Sequence, residues 1–153
     1  MDRVIDSKVQ LLPKEEFDTI YSRVPRLTVE VLVRTPDGIV LTKRDIEPCK
    51  GQWHLPGGTV LFGETLADTV RRVALEELNV EVAVGKQLGY IEYPISYEHG
   101  HNGRKGWPIG IVFEATILKG ELKGSSQAEE VASFKKVPDN TFVEQAKYLK
   151  AIL

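Results

Sequence analysis

The sequence predicts an α/β fold, a mixed β-sheet lying between helices as an α/β/α sandwich, and three observations predict it. Strand-like runs rich in β-branched residues stand both before and after one central helical run, Leu66 to Leu78. That run holds no proline or glycine. A second helical stripe closes the chain at residues 141 to 152, so both faces of one sheet can be covered.

Taken in order, residues 1 to 12 alternate weakly and read as an arm or short edge strand. Pro13 followed by Lys14, Glu15 and Glu16 starts a short helix, with acids near the positive end of its dipole. Phe17, Ile20 and Tyr21 give that helix an apolar stripe. Residues 1 to 26 are thus an N-terminal arm and short helix within a single domain of residues 1 to 153. Leu27 to Thr35 is β-branched and alternates, Pro36-Asp37-Gly38 turns, and Ile39 to Lys43 returns as the hairpin partner. Residues 45 to 52 loop, and Trp53 and Leu55 form a brief extended piece that delivers the chain to Pro56-Gly57-Gly58.

Thr59 to Phe62 reads as a short strand before the helix of Leu66 to Leu78, which Asn79 terminates. Val80 to Val84 and Gln87 to Tyr93 read as two strands, or as one strand bent at Gly85. The stretch from Pro94 to Pro108 is aromatic, polar and glycine-rich; it is long for a passive connection and reads as a binding loop or lid. Ile109 to Leu118 is the cleanest late strand and Val131 to Val137 a shorter one. Asp139-Asn140 caps the last helix, whose inward stripe is Phe142, Ala146, Leu149 and Ile152.

A chain of 153 residues, 42% hydrophobic and 27% charged, has room for one sizeable core. Twenty basic residues against 22 acidic ones leave a net charge of -2, which offers no basic surface to nucleic acid. No run approaches the roughly 18 apolar residues of a membrane span, and the N-terminus is too polar for a signal peptide. The expectation is a cytoplasmic protein with no membrane partner. The single Cys49 excludes an internal disulfide and an all-cysteine zinc site.

The chemistry concentrates between Gly57 and Val80. At about 100° per residue, Leu66, Val70 and Val73 form one apolar arc of the central helix, and Glu77 falls within it. Arg72 and Glu76 sit to one side. A charge on an inward face is costly unless it is paired or bound to a metal. The preceding glycine pair lets backbone carbonyls approach a shared centre. Carboxylate oxygens together with a backbone carbonyl suit a hard cation such as magnesium.

This run resembles the signature of the Nudix hydrolases. Gly58, Glu64, Arg72, Ala74, Glu76, Glu77 and Val80 meet the family pattern in register, whereas Val73 stands where the family has glutamate and Asn79 where it has glycine. The resemblance covers the chain from Leu27 to about Lys150. It implies an α/β/α sandwich and hydrolysis of a nucleoside diphosphate linked to another group. It also implies magnesium as cofactor, with manganese as the alternative. By position, the Gly57 carbonyl, Glu76 and Glu77 are the metal ligands, directly or through water. Arg72 orients the acidic cluster and Glu64 supports the loop.

Loss of the family glutamate at Val73 resembles the GDP-mannose mannosyl hydrolases, a branch that attacks sugar carbon with fewer metals and a histidine base. Arg44 matches an arginine that contacts the diphosphate in that branch. Thr59 stands where the branch has arginine, and no histidine stands near Trp107-Pro108. His99 or His101, from the long loop, and Glu130, ahead of a late strand, are therefore the candidates for the base. Tyr93, Trp107 and their neighbours Tyr90 and Tyr97 supply stacking surfaces for a nucleobase, and Arg104 with Lys105 can meet phosphate. The implied partner is a small-molecule nucleoside diphosphate derivative, a nucleotide sugar such as GDP-mannose. Two alternatives stand beside it: phosphoanhydride hydrolysis of ADP-ribose or a nucleoside triphosphate, and a nucleotide-binding regulatory protein on a decayed Nudix scaffold. The N-terminal helix and the first dozen residues offer a homodimer contact of the kind that branch uses.

Overall fold

The structure is a computed structural model and describes residues 11–45, 49–93, 106–124 and 128–153. In chain order the elements are α1 (Lys14–Tyr21), β1 (Arg26–Thr35), β2 (Gly38–Arg44), β3 (Trp53–His54), β4 (Gly57–Thr59), α2 (Leu66–Leu78), β5 (Val80–Glu92), β6 (Pro108–Gly120), β7 (Ala128–Phe134) and α3 (Val143–Ile152). The sheet runs β3-β2-β1-β6-β5, with β4 paired to β1 and β7 paired to β2. The β1–β6 pair is parallel and every other pair is antiparallel, which makes the sheet mixed as expected.

Strand β1 is buried on both faces from Thr28 to Val33, so alternation there sorts residues between two cores rather than between core and solvent. Val29, Val31 and Val33 pack with Val70, Val73, Ala74 and Leu78 of α2. Leu32 points the other way and joins Ile39, Leu41, Trp53, Leu55, Val112 and Leu149 of α3. The period of two along β1 thus builds both layers of the sandwich.

β1 also holds the glycine pair in place. It pairs with β2 only near the hairpin, at Arg34↔Ile39 and Thr35↔Gly38. Its other half takes β4, with Thr28↔Thr59, Val29↔Gly58 and Glu30↔Gly57 in register. Val31 N–H donates to Pro56 O at 2.8 Å and Val60 N–H to Leu27 O at 3.0 Å, closing the ladder at each end.

Several expected elements are displaced. The strand of the central box is the glycine pair itself rather than Thr59 to Phe62, because the glycines take up β1's backbone groups. Beyond them the chain turns through Gly63 at φ 88° and leaves Phe62 98% exposed. Of the two readings of the stretch after α2, the single strand is the one found: β5 runs unbroken past Gly85, with irregular register at Val84/Gln87 and Gln87/Gly89. The last strand ends at Phe134 and begins three residues earlier than expected. Asp139-Asn140 does not cap α3, which starts at Val143 without a side-chain cap. Asn140 Nδ2 instead donates to Gly51 O at 2.9 Å. The inward stripe of α3 is Gln145 and Leu149, while Ile152 stays 37% exposed. Helix α1 buries none of its residues, and its Phe17 and Tyr21 rings contact each other edge-on.

Gly38 sits at φ 119°, and a Cβ there would lie 2.1 Å from Phe134 O and 2.7 Å from Lys135 N, backbone atoms that cannot swing aside. Gly51, at φ 84°, faces open space. Gly38→Ala is expected to lose at least about 2 kcal/mol of unfolding free energy in urea, against about 1 kcal/mol for Gly51→Ala. Equal losses would contradict the packing described at the hairpin.

Candidate active site

Helix α2 carries the charged cluster and is anchored at both ends. Thr65 Oγ1 accepts from Asp68 N–H at 3.1 Å while Asp68 Oδ2 accepts from Thr65 N–H at 3.2 Å, a reciprocal capping box. Asn79 closes the helix in the left-handed region at φ 61°, a conformation that asparagine tolerates better than most residues with a side chain.

Between those ends, Arg72 ties three groups together. Its Nε and Nη2 donate to the two oxygens of Glu64 at 2.8 and 2.9 Å, Nη2 also donates to Thr59 O at 2.8 Å, and Nη1 reaches Glu76 Oε2 at 3.2 Å. The planar guanidinium makes the bidentate contact that a lysine could not. Glu64 is 1% exposed through its side chain and also accepts from Leu61 N–H and the Thr69 hydroxyl. Burial alone would raise its pKa; the bonds from Arg72 and Leu61, with the charge of Arg72, outweigh that and hold it below the usual carboxylate range. One arginine thereby joins the loop before the helix, the last residue of β4 and the solvent-facing Glu76.

Glu77 turns toward the glycine pair. Gly57 N–H donates to Glu77 Oε2 at 3.3 Å. Burial pushes the Glu77 carboxyl up to about 7; the Gly57 N–H opposes this, the charge of Glu76 adds to it, and Arg44 and Arg72 oppose it from farther off. Arg44, at the end of β2, therefore lies within electrostatic reach of Glu77. The family glutamate position is a core position here. Val73 is 1% exposed and sits under Gly58, where a Cβ would come within 2.9 Å of Val73 Cγ2.

A carboxylate overlooked in the sequence lies on the other side of Gly57. Glu30 is 6% exposed, and its two oxygens fill the space that a Cβ would need at Gly57 (2.4 Å from Oε2) and at Gly110 (2.6 Å from Oε1). Tyr93 donates to Glu30 Oε1 at 2.9 Å. Burial raises the Glu30 carboxyl to about 8, against the Tyr93 bond and with the charge of Glu77 adding to the rise. The signal available in the sequence was a single acid inside the otherwise apolar run of Val29 to Val33.

The oxygens on this side of the site are hard: the Glu77 carboxylate against Gly57, the Glu76 carboxylate next to it on α2 and held by Arg72, and the backbone carbonyls of the glycine pair. Glu77, half-buried and loath to ionise, is a group that a divalent cation would favour. No group of three or more His, Cys, Asp or Glu that could hold a metal occurs among the described residues. A site of two carboxylates and a carbonyl does not require one.

The remaining candidates divide. Glu130 stands opposite Lys43 in the β2–β7 ladder and pairs with its Nζ at 3.5 Å, with 54% of its side chain exposed. Trp107 is 43% exposed and Tyr90 60%, so both rings are available for stacking. Tyr93 is not: it is 6% exposed, its ring lies in the α3-side core, and its hydroxyl is engaged by Glu30 and Gln145. The expectation of Tyr93 as a stacking surface is corrected by that burial. His99, His101, Arg104, Tyr97 and Lys105 lie outside the described residues. His54 has both ring nitrogens in use, with Nδ1 at 2.8 Å from Leu55 O and Nε2 at 3.2 Å from Thr42 Oγ1. Burial holds it neutral, with its pKa lowered to about 4.

The sheet, the glycine pair on β1 and the arginine–carboxylate cluster on α2 define a Nudix-type site. The model of the NUDIX domain matches residues 24–151, and the chain belongs to the Nudix family of hydrolases. It is 32% identical over 149 residues to a Haloferax volcanii protein named low-salt glycan biosynthesis protein Agl8, covering 96% of this chain and 94% of that protein. It is 34% identical over 110 residues to an ADP-ribose pyrophosphatase of Methanocaldococcus jannaschii, covering 72% of this chain and 62% of that one. A MutT Nudix hydrolase of Burkholderia pseudomallei superposes with a TM-score of 0.72 at 23% identity, over 85% of this chain and 99% of that structure.

The two raised carboxyls fix the sign of a pH effect. Glu30 and Glu77 keep protons in the folded chain that they release near 4.5 when unfolded, so their stabilisation is full below 4.5 and is lost as pH rises through about 7 and 8. His54 acts in the opposite sense, but only below its ordinary 6.5. In chelator, the thermal midpoint should fall between about pH 6 and pH 8.5, and Glu30→Gln and Glu77→Gln should each remove part of the slope. A flat profile for the unaltered protein would contradict the placement of both groups.

Proposed function

We propose that the protein, read as one Nudix domain over residues 1 to 153 with an N-terminal arm and short helix, is a magnesium-dependent hydrolase of nucleoside diphosphates linked to a sugar. GDP-mannose is the substrate of first choice and manganese the alternative cation. The observation that carries this reading is the single assembly of Arg72, Glu64 and Glu76 beside the Gly57–Glu77 contact. The relative spanning nearly the whole chain is named for glycan biosynthesis, which supports a sugar as the linked group.

In this reading Gly57 O, Glu76 and Glu77 would hold the cation, and the chemistry it would supply there is neutralisation of the diphosphate charge and activation of water. Arg72 keeps Glu76 on the site side of the helix and the Thr59 carbonyl in line with the loop. Glu64 is the buried counter-charge that holds Arg72. Arg44, whose positive charge already reaches Glu77, meets the diphosphate from β2. Trp107 offers a face for the nucleobase. His99, His101 and Arg104 from the 94–105 stretch, with Glu130 from β7, complete the proposed set, and one of the histidines or Glu130 takes the proton from water. Val73 places a methyl surface under Gly58 where the family signature has glutamate, and that missing carboxylate supports attack on the sugar carbon. The M. jannaschii relative favours the second reading, attack on phosphorus in ADP-ribose with Glu130 in place of the missing glutamate. Among the described residues no helix is long and apolar enough to cross a membrane. A cytoplasmic location and a homodimer through α1 belong to the proposal.

Hydrolysis in heavy-oxygen water separates the two. Attack on carbon labels the released sugar and leaves the nucleoside diphosphate unlabelled, whereas attack on phosphorus labels a phosphate product. Glu77→Gln should lower magnesium-dependent turnover by about a hundredfold or more while remaining folded. Unchanged turnover in that variant would remove Glu77 from the metal site. Tight nucleotide binding without hydrolysis of GDP-mannose, GDP-glucose, ADP-ribose or nucleoside triphosphates would support a regulatory scaffold instead.

A further inference from the structure

A chain of polar side chains crosses the α3-side core and closes around the residues that lead into the glycine pair. Leu55 N–H donates to Gln145 Oε1 at 2.6 Å, and Gln145 Nε2 donates to the Tyr93 hydroxyl at 2.8 Å. Tyr93 donates in turn to Glu30 Oε1 at 2.9 Å. Glu30 Oε2 then lies against Gly57, in the space a Cβ would need. The chain thus leaves the backbone at Leu55 and returns to it at Gly57, and Val31 N–H holds the intervening Pro56 carbonyl.

Its three side chains come from β1, the end of β5 and α3, far apart in sequence, and all are buried: Glu30 6%, Tyr93 6% and Gln145 2% exposed. Every donor in it runs in one direction, so each link fixes the next. Apolar residues of similar volume would serve packing at least as well, because buried polar networks seldom add net stability. What such a network does add is one defined arrangement of the groups it touches.

We propose that Glu30, Tyr93 and Gln145 are positioning residues that fix Leu55–Gly57 alongside β1 and so set Gly57 against Glu77. The inference makes α3 part of the site's support, although α3 carries no residue of the acidic cluster. The link to metal affinity rests on the metal reading above; the positional claim stands on the hydrogen bonds and on the packing of Glu30 against Gly57.

The test follows single backbone amides by hydrogen exchange in Tyr93→Phe, Gln145→Leu and Glu30→Gln, with manganese titrated alone into each folded protein. Gly57 N–H bonds to Glu77 and to no member of the chain, so it reports position at a distance. In Tyr93→Phe and Gln145→Leu its exchange should quicken by about tenfold or more while the amide of Val73, inside α2, stays protected. Glu30→Gln keeps an acceptor for Tyr93 and should match the unaltered protein. Manganese affinity should weaken about tenfold in the first two variants only. Unchanged exchange at Gly57, or Gly57 and Val73 quickening together, would overturn the inference and leave ordinary core packing. Failure of the unaltered protein to bind manganese would remove the metal reading alone, since the exchange result decides the positional claim without it.

Discussion

The site depends on one guanidinium. Arg72 spends its three nitrogens on Glu64, Glu76 and the Thr59 carbonyl, and those partners belong to the loop before α2, to α2 itself and to the end of β4. Glu64 is almost wholly enclosed, so its charge would be costly without that arginine. The consequence is directional: Glu76 is held on the side of α2 nearest β4, and the glycine pair is held at the end of the same helix that carries Glu77. A lysine at this position would keep the charge and lose the fork that connects three segments.

The second constraint is absence of side chains. Glycine at 57 and 110 leaves room for the Glu30 carboxyl, and glycine at 58 leaves room for Val73. The glycine pair thus lies between a buried acid and the apolar face of α2. The same closeness explains why the two acids flanking Gly57 resist ionisation, one through burial in the sheet and one through burial at the helix face. It also makes Val73 a wall of the core and not merely a missing ligand.

Much of this was legible from residue spacing. The bounds of α2, its termination at Asn79, the inward turn of Glu77 and the pairing of Arg72 with acids follow from helical periodicity and a family-like pattern. What was not legible depended on contacts across the sheet. Glu30 hides within a strand whose neighbours are all apolar, and only the β1–β4 and β1–β6 registers bring it between two glycines. Tyr93 looked like a ligand surface because its neighbours in sequence are polar and aromatic, yet Gln145 and Glu30 draw its hydroxyl into the core. The start of α3 was misplaced because Asn140 bonds to Gly51, a partner that no local rule anticipates.

The central claim is that Gly57, Glu76 and Glu77 share a divalent cation beneath the diphosphate of a sugar nucleotide. The most direct measurement is anomalous scattering from crystals grown with manganese and a slowly hydrolysed nucleotide-sugar analogue. The account predicts a manganese peak beside Gly57 O and the carboxylate oxygens of Glu76 and Glu77, which would bind it directly or through one water. An ordered manganese bound elsewhere, with Glu77 left facing only the Gly57 amide, would contradict it.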